Sequence, residues 1–568
     1  MHQSGEQSVS PLYVSGLTVA LGLTLSSCTG SSEVEPSTVV EHERANVLRI
    51  NANERAQLIE GFGASDAWII DPMIKKWINK HQADAIDELA DLLFSQDNGI
   101  GLSMWRFNVG AGSAEQGAAS RIPDPLRRAE LFIDRPGGTV DHAKQSGQVV
   151  LAQAAAKRGL DNIIAFVNSP PTWATKNGLA HPGSPRDLGV VGSTNLEPKK
   201  LHDFARFQAD VVGYLRDIKG LPIKYLSPIN EPTWRWADET QEGNRYNNDE
   251  VSAVYRATYA ALGARGLSDA VEIDAGESVE YLAALSDETV AEFLGRPYSA
   301  GMNGEGLGEY RDYIGLLLGD SELRDVVGNK ISLHGYWSDA LPERITDLRR
   351  LVKAEVAAAS KDARIWMSEL CVLGPAAGLR PFDGHGFDMN DIDYALHIAR
   401  IIHHDLVDLG VTAWMWWLAV TAYDYKDGLL RVDSSLRAET LQSSKLMWAL
   451  GNFSRFIRPG FQRVSTQFSD EVGYSDGESP VLASAYIDED GKDWVMVVIN
   501  LSNSAQVIQI DPGTEARDPV AVAPPSEWEI HLTNSEFDLA YVRTSTDGRI
   551  TVPARSILTA IGNATGRL

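Results

Sequence analysis

Eight short apolar runs, most of them followed by a segment with helical period, constrain this chain more than any other feature of it. They lie at 59–64, 101–109, 162–168, 223–229, 271–275, 331–336, 364–369 and 412–418. Their composition is that of strands buried on both faces, not the alternation of a half-exposed sheet. Between them, Ile86, Leu89, Ala90 and Leu93 recur at helical spacing, as do Phe204, Phe207, Val211 and Leu215, and Ile345, Leu348, Val352 and Val356. Buried strands joined by helical crossovers make a parallel sheet, and eight such units predict an α/β fold closed as a (β/α)8 barrel over 58–450. The surplus length falls after strands, in 110–141 and 171–197, where the walls of a cleft would stand.

Past residue 451 the helical period fades. Short strand-like runs flank Asp490-Gly491 and Asp547-Gly548, which predicts an all-β sandwich over 451–568. At the other end, an apolar run at 17–25 has the length of a signal h-region and is too short to span a bilayer. It closes in Leu25-Ser26-Ser27-Cys28, which resembles a bacterial lipoprotein processing site, although no Lys or Arg precedes it. The expectation is a signal peptide over 1–28 with Cys28 lipidated, a flexible tether over 29–45, and an extracytoplasmic, membrane-anchored or secreted protein. With only Cys371 besides, no disulfide framework is possible. A formal net charge of −26 argues against nucleic acid and anionic membrane surfaces as partners.

The C-terminal ends of the predicted strands carry the chemistry. Tyr225-Leu226-Ser227-Pro228-Ile229 leads into Asn230-Glu231-Pro232, and Arg364-Ile365-Trp366-Met367-Ser368 leads into Glu369. Parallel barrels build their sites at that end, and two glutamates on two strand rims are the minimum apparatus of a retaining glycosidase. Other rims add Asp66, Arg106, Asn108, Trp173, His334, Tyr336 and Trp416. Taken singly, each has an ordinary structural role open to it; together they gather polar and aromatic groups at one end of one barrel. Gly61-Phe62-Gly63 lacks the second half of a dinucleotide fingerprint, no Gly-x-Ser-x-Gly elbow occurs, and no histidine spacing suits a catalytic metal, so neither metal nor cofactor is expected.

These motifs, in this order, resemble glycoside hydrolase family 30, a clan A family with a barrel and an attached β-sandwich. The matching stretches are Gly61-Phe62-Gly63, Arg106-Phe107-Asn108, Ser169-Pro170-Pro171-Thr172-Trp173, Asn230-Glu231-Pro232, His334-Gly335-Tyr336, Ser368-Glu369 and Pro553-Ala554-Arg555-Ser556. The resemblance implies Glu231 as acid/base and Glu369 as nucleophile. It implies that Arg106, Asn230 and Tyr336 orient them or the sugar, and that Trp173 and Trp416 line the subsite for the cleaved residue. It also implies that a strand over 46–57 joins the C-terminal sandwich. Trp234-Arg235-Trp236 and Gln241-Glu242-Gly243 look like the endo-β-1,6-galactanase branch, making Trp234 and Trp236 substrate contacts and β-linked polysaccharide, such as arabinogalactan side chains, the partner. A β-1,6-glucanase, a β-glucosidase, a xylanase and a non-catalytic glycan-binding surface lipoprotein remain the alternatives. For the chemistry to run at one pH, burial and the charge of Glu369 must raise Glu231, while Arg106 and Tyr336 keep Glu369 ionised.

Overall fold

The structure is a computed structural model and describes residues 45–183, 194–237, 239–295, 307–339, 342–374, 381–469, 479–511 and 524–564. Residues 45–568 form one compact unit. Cys28 and the proposed leader lie outside the described residues.

After β1 (Asn46–Leu58), nine segments pair in parallel: β2 (Gly61–Ser65), β3 (Met104–Val109), β4 (Asn162–Val167), β5 (Ile223–Ser227), β6 (Glu272–Ile273), β7 (Gly276–Ser278), β8 (Lys330–His334), β9 (Arg364–Glu369) and β10 (Ala413–Thr421). Their order is β6-β5-β4-β3-β2-β10-β9-β8-β7. The two ends of that path are one stretch of chain, interrupted only at Asp274 and Ala275. There the Asp274 N–H donates to the Leu226 carbonyl and the Ser332 N–H to the Ala275 carbonyl, each at 2.8 Å. The stretch 272–278 is therefore split in two, and Gly276 turns through φ +109° at the start of its second part.

The strands are mostly apolar because both faces are covered. Met104, Ile164, Trp366, Ala413 and Met415 form a small cluster on one face, which we call the inner face. Trp105, Phe107, Ile163, Ala165, Met367 and Trp414 belong to the large cluster that packs with the helices. The period of two along each strand thus assigns every side chain to one side or the other.

Four places break that period: the pairings β4–β5 at Lys224, β7–β8 at Glu277, β8–β9 at Ser368 and β10–β2 at Trp417 each contain one extra residue. A bulge of this kind re-aims the side chains beyond it. Plain alternation from Trp366 would send Glu369 toward the helices; the extra Ser368 makes Glu369 the register partner of His334 instead.

Two short strands, β11 (Gly428–Arg431) and β12 (Gln442–Ser443), extend from β10. The rest of the chain supplies β13 (Gln462–Phe468), β14 (Val481–Ile487), β15 (Asp493–Asn500), β16 (Gln506–Asp511), β17 (Trp528–Thr533), β18 (Ala540–Ser545), β19 (Arg549–Val552) and β20 (Ser556–Asn563). With β1 they run in one hydrogen-bonded path, β18-β17-β20-β15-β14-β13-β1-β16-β19. The expected sandwich has two separate sheets; here β1 stitches them, antiparallel to β13 and parallel to β16. On β15, Trp494, Met496 and Val498 join the core of this sheet, while Val495, Val497 and Ile499 join the large cluster under the parallel sheet. Burying both faces of β15 ties the two sheets together. Among the described residues no helix is long and apolar enough to cross a membrane.

Candidate active site

The C-terminal ends of β5, β7, β8 and β9 surround a buried ionic cluster beneath an open cleft. Arg106, on β3, reaches the middle of it. Its Nη1 donates to Glu369 Oε2 at 2.5 Å, and its Nη2 donates to Glu277 Oε2 at 2.6 Å and to Asn230 Oδ1 at 3.4 Å. Its guanidinium lies 4.3 Å from the Phe166 ring centre, so packing as well as charge holds it. Tyr336 donates its hydroxyl to Glu369 Oε1 at 2.7 Å.

His334, fully buried at the end of β8, is placed between three carboxylates. Its Nδ1 is 3.1 Å from Glu231 Oε1 and 3.6 Å from Glu369 Oε1, and its Nε2 is 2.9 Å from Glu277 Oε2. Both ring nitrogens face carboxylate oxygens, an arrangement that favours a proton on each. Burial alone would push the imidazole down, but the charge of Glu369 and the bonds to Glu231 and Glu277 outweigh it and hold His334 at about 10. Glu277 goes the other way: burial would raise it, and the charge of Arg106 with His334 beside it brings it to about 2. Glu231 is raised, first by burial and then by the charge of Glu369, against the opposing pull of His334. Glu231 thus favours its proton while Glu277 gives its own up, so burial and neighbouring charge set two adjacent carboxylates in different protonation states.

The backbone around the cluster is strained. Trp68, Glu231, Trp236, Glu277 and Trp337 all have φ between +42° and +66°. At ~1–3 kcal/mol each, five such residues cost on the order of the whole net stability of a domain, so they persist only where tertiary contacts over-determine them. Glu231 shows how: its N–H donates to the Glu277 carbonyl at 3.0 Å, while its own carbonyl accepts from the Trp234 N–H at 3.0 Å and from Trp236 Nε1 at 3.2 Å.

Above the cluster lies a cleft of about 300 Å³. Trp234 and Trp337 stack on one wall with ring centres 6.1 Å apart, and Trp68 meets Trp417 edge-on at 5.4 Å on another. Gln241 also lines the cleft, and its two neighbours explain the motif that contains it. Glu242 is buried and accepts from the N–H groups of Ala111 and Ser113 and from the Ser113 hydroxyl, tying the 110–113 loop to the 236–243 loop. Gly243 leaves room for the Trp236 ring, since a Cβ there would sit 2.2 Å from it.

Of the residues singled out from sequence, Asn230, Glu231, Trp234, Trp236, Tyr336 and Glu369 line the cleft, with Arg106 and His334 directly beneath. Four others stand elsewhere. Asp66 is buried against Trp105 Nε1, the Asn108 N–H and Gln148 Nε2; burial raises it to about 8. Asn108 accepts from the Asn168 side chain within the same network. Trp173 donates to the Ile133 carbonyl and packs on Phe207, away from the cleft lining. Trp416 is completely buried, stacked with Trp414 and donating to the Asp427 carbonyl, because the period of two turns both rings toward the helices. Trp417, on the other parity, faces the cleft instead.

Sequence reading passed over Glu277, Trp68, Trp337, Trp417 and Asp427. Glu277 had a faint signal, an acid two residues beyond a strand end, and Trp417 directly follows Trp416. For metal binding, Glu231, His334 and Glu369 are the candidate group among the described residues, with one ligand atom of each within 4.8 Å of the others. A doubly protonated imidazole has no lone pair to offer, so His334 as placed does not suit a metal.

A family model described as O-glycosyl hydrolase family 30 matches residues 45–431. An endo-β-1,6-galactanase from Hypocrea rufa is 24% identical over 446 residues, spanning 74% of this chain and 77% of that protein. Among solved structures, a conserved exported protein from Bacteroides fragilis is 26% identical with a TM-score of 0.76, covering 91% of this chain and 100% of the other. The catalytic domain of xylanase C from Talaromyces cellulolyticus is alike in fold, with 19% identity, a TM-score of 0.60, and 91% of this chain against 99% of that one.

Proposed function

The chain belongs to O-glycosyl hydrolase family 30, and from that premise we propose that it cleaves β-1,6-linked galactan with retention, Glu231 serving as acid and base and Glu369 as nucleophile. The observation that carries this reading is the spacing of the two glutamates: one oxygen of each lies within 4.8 Å. Retaining pairs stand ~5–5.5 Å apart, whereas inverting pairs leave ~6.5–9.5 Å for a water. We also read the parallel sheet as closed through 272–278 into the eight-stranded barrel.

In the first step Glu231 gives its proton to the glycosidic oxygen, the bond from C1 to that oxygen breaks, and a Glu369 oxygen bonds to C1. In the second, Glu231 takes a proton from water, whose oxygen displaces Glu369 from C1. The cluster keeps its net charge throughout. Before reaction, Arg106 and His334 balance Glu277 and Glu369; afterwards Glu369 is an ester and Glu231 is the anion. His334 touches both glutamates through the same nitrogen, so its positive charge serves whichever one is ionised.

The substrate rests on the likeness to the galactanase and on Trp234, Trp236 and Gln241 in the cleft. Hydrolysis of β-1,6-galactan, β-1,6-glucan, β-1,3-glucan and glucuronoxylan should be fastest on the galactan. Preference for a glucan or the xylan would assign another specificity, and no hydrolysis of any would leave a glycan-binding protein. The sizes of the products separate internal from terminal cleavage.

Export is the companion proposal, supported by the apolar run at 17–25, Cys28 and the likeness to an exported protein. A Cys28→Ala chain should move from the membrane pellet to the supernatant; a wild-type chain already in the supernatant rules out the anchor.

A further inference from the structure

We propose that Asp427 is a specificity-determining residue that accepts a hydrogen bond from a ring hydroxyl of the sugar seated against Trp417. The proposal rests on the glycosidase reading above. Asp427 is 4% exposed and lines the cleft, and its Oδ1 has no hydrogen-bond partner. A buried carboxylate oxygen without a donor is costly, and such groups in folded proteins await a partner. Its position is rigid. The Asp427 carbonyl accepts from Trp416 Nε1 at 2.8 Å and from the Leu418 N–H at 3.1 Å, and the preceding carbonyl, of Lys426, accepts from the Tyr394 hydroxyl at 3.0 Å. Gly428 follows it, where a Cβ would come within 2.7 Å of the Leu430 carbonyl and the Thr421 nitrogen.

The surroundings select the ligand class. Trp68 and Trp417 offer apolar faces beside the carboxylate, and Arg127 lies over Trp68 at 4.3 Å and over Tyr423 at 5.1 Å. Trp68, Trp417 and Arg127 line the same cleft as Asp427. A neighbouring guanidinium disfavours a bound cation, whereas aromatic faces next to one hydrogen-bond acceptor suit a polyhydroxylated ring. Burial raises the Asp427 carboxyl to about 7, against the Thr421 hydrogen bond and the charge of Arg127. A hydroxyl donated by substrate would favour the anion further.

The test crosses wild type and Asp427→Ala with an aryl β-D-galactopyranoside and its 3-, 4- and 6-deoxy analogues, or the same set in whichever sugar series wild type hydrolyses fastest. Removing a hydrogen bond to a charged acceptor should lower kcat/KM by about 10- to 100-fold. Wild type should show that loss on one deoxy analogue, and Asp427→Ala should show it on the parent but not again on that analogue. Asp427→Ala within twofold of wild type on the parent, or equally impaired on all analogues, overturns the proposal while leaving the glycosidase reading intact. Absence of any β-glycosidase activity in wild type overturns both. If the alanine variant does not fold, Asp427→Asn carries the same cycle, since it replaces one acceptor oxygen by a donor at constant shape.

Discussion

Glu369→Ala is expected to lose turnover on every β-glycoside, by roughly 10⁴- to 10⁶-fold, because in the proposed mechanism Glu369 is the group that bonds to C1. The loss should not depend on the leaving group, since proton donation cannot replace a missing nucleophile. Folding should survive: Arg106 gives up one carboxylate but keeps Glu277 at 2.6 Å, so its charge is not left unpaired. Azide can enter the space that the carboxylate leaves. It would attack from that face and yield the α-glycosyl azide. Kinetics on a polysaccharide and an aryl glycoside, with identification of the azide product, check this. Near-normal hydrolysis by the variant, or a β-azide, would remove Glu369 from the nucleophile's role.

Glu231→Ala should divide the substrates instead. On polysaccharide the loss of proton donation costs roughly 10²- to 10⁴-fold. An aryl glycoside whose leaving group departs without a proton should be spared most of that in the first step. The second step then lacks its base, so added azide should speed turnover and give the β-glycosyl azide. The pH profile provides an independent sign. Burial first, and then the charge of Glu369, raise Glu231 against the pull of His334. Its protonated form is the active one for glycosylation, so wild-type kcat/KM should fall as pH rises through that raised value. In Glu231→Ala acting on the aryl substrate, this alkaline limb should vanish. A limb that persists, or equal losses on both substrates, would assign the acid to another group.

His334 contacts the two glutamates of the proposed mechanism through one nitrogen, Nδ1, and Glu277 through the other. Its doubly protonated ring lies against Glu231, Glu277 and Glu369 together. Arg106 and His334 hold Glu277 ionised, whereas burial and the charge of Glu369 raise Glu231.

Much of this was legible in the chain before folding. Buried-strand composition at 223–229 and 364–369 placed Asn230, Glu231 and Glu369 at strand ends, the first two because an apolar run must stop where a carboxylate and a proline begin. His334 was readable for the same reason, a polar residue closing an apolar run, whereas Arg106 is a cation inside the apolar strand β3, with Phe107, Asn108 and Val109 after it. Strand limits were less so: β3 begins three residues later than its pattern, since Gly101 turns the chain at φ +61° first.

What the sequence by itself determined is the set of strand ends and the residue types standing on them, since composition and turn residues act locally. Which side chains meet was decided by tertiary structure. The single extra residues at Glu277, Ser368 and Trp417 depend on how neighbouring strands pair, and no local pattern announces them. They brought Glu277 under His334 and turned Glu369 inward. The physical reason is that a strand's period of two is set along the chain, whereas its register, and therefore its facing, is set between chains of hydrogen bonds that only the folded sheet supplies.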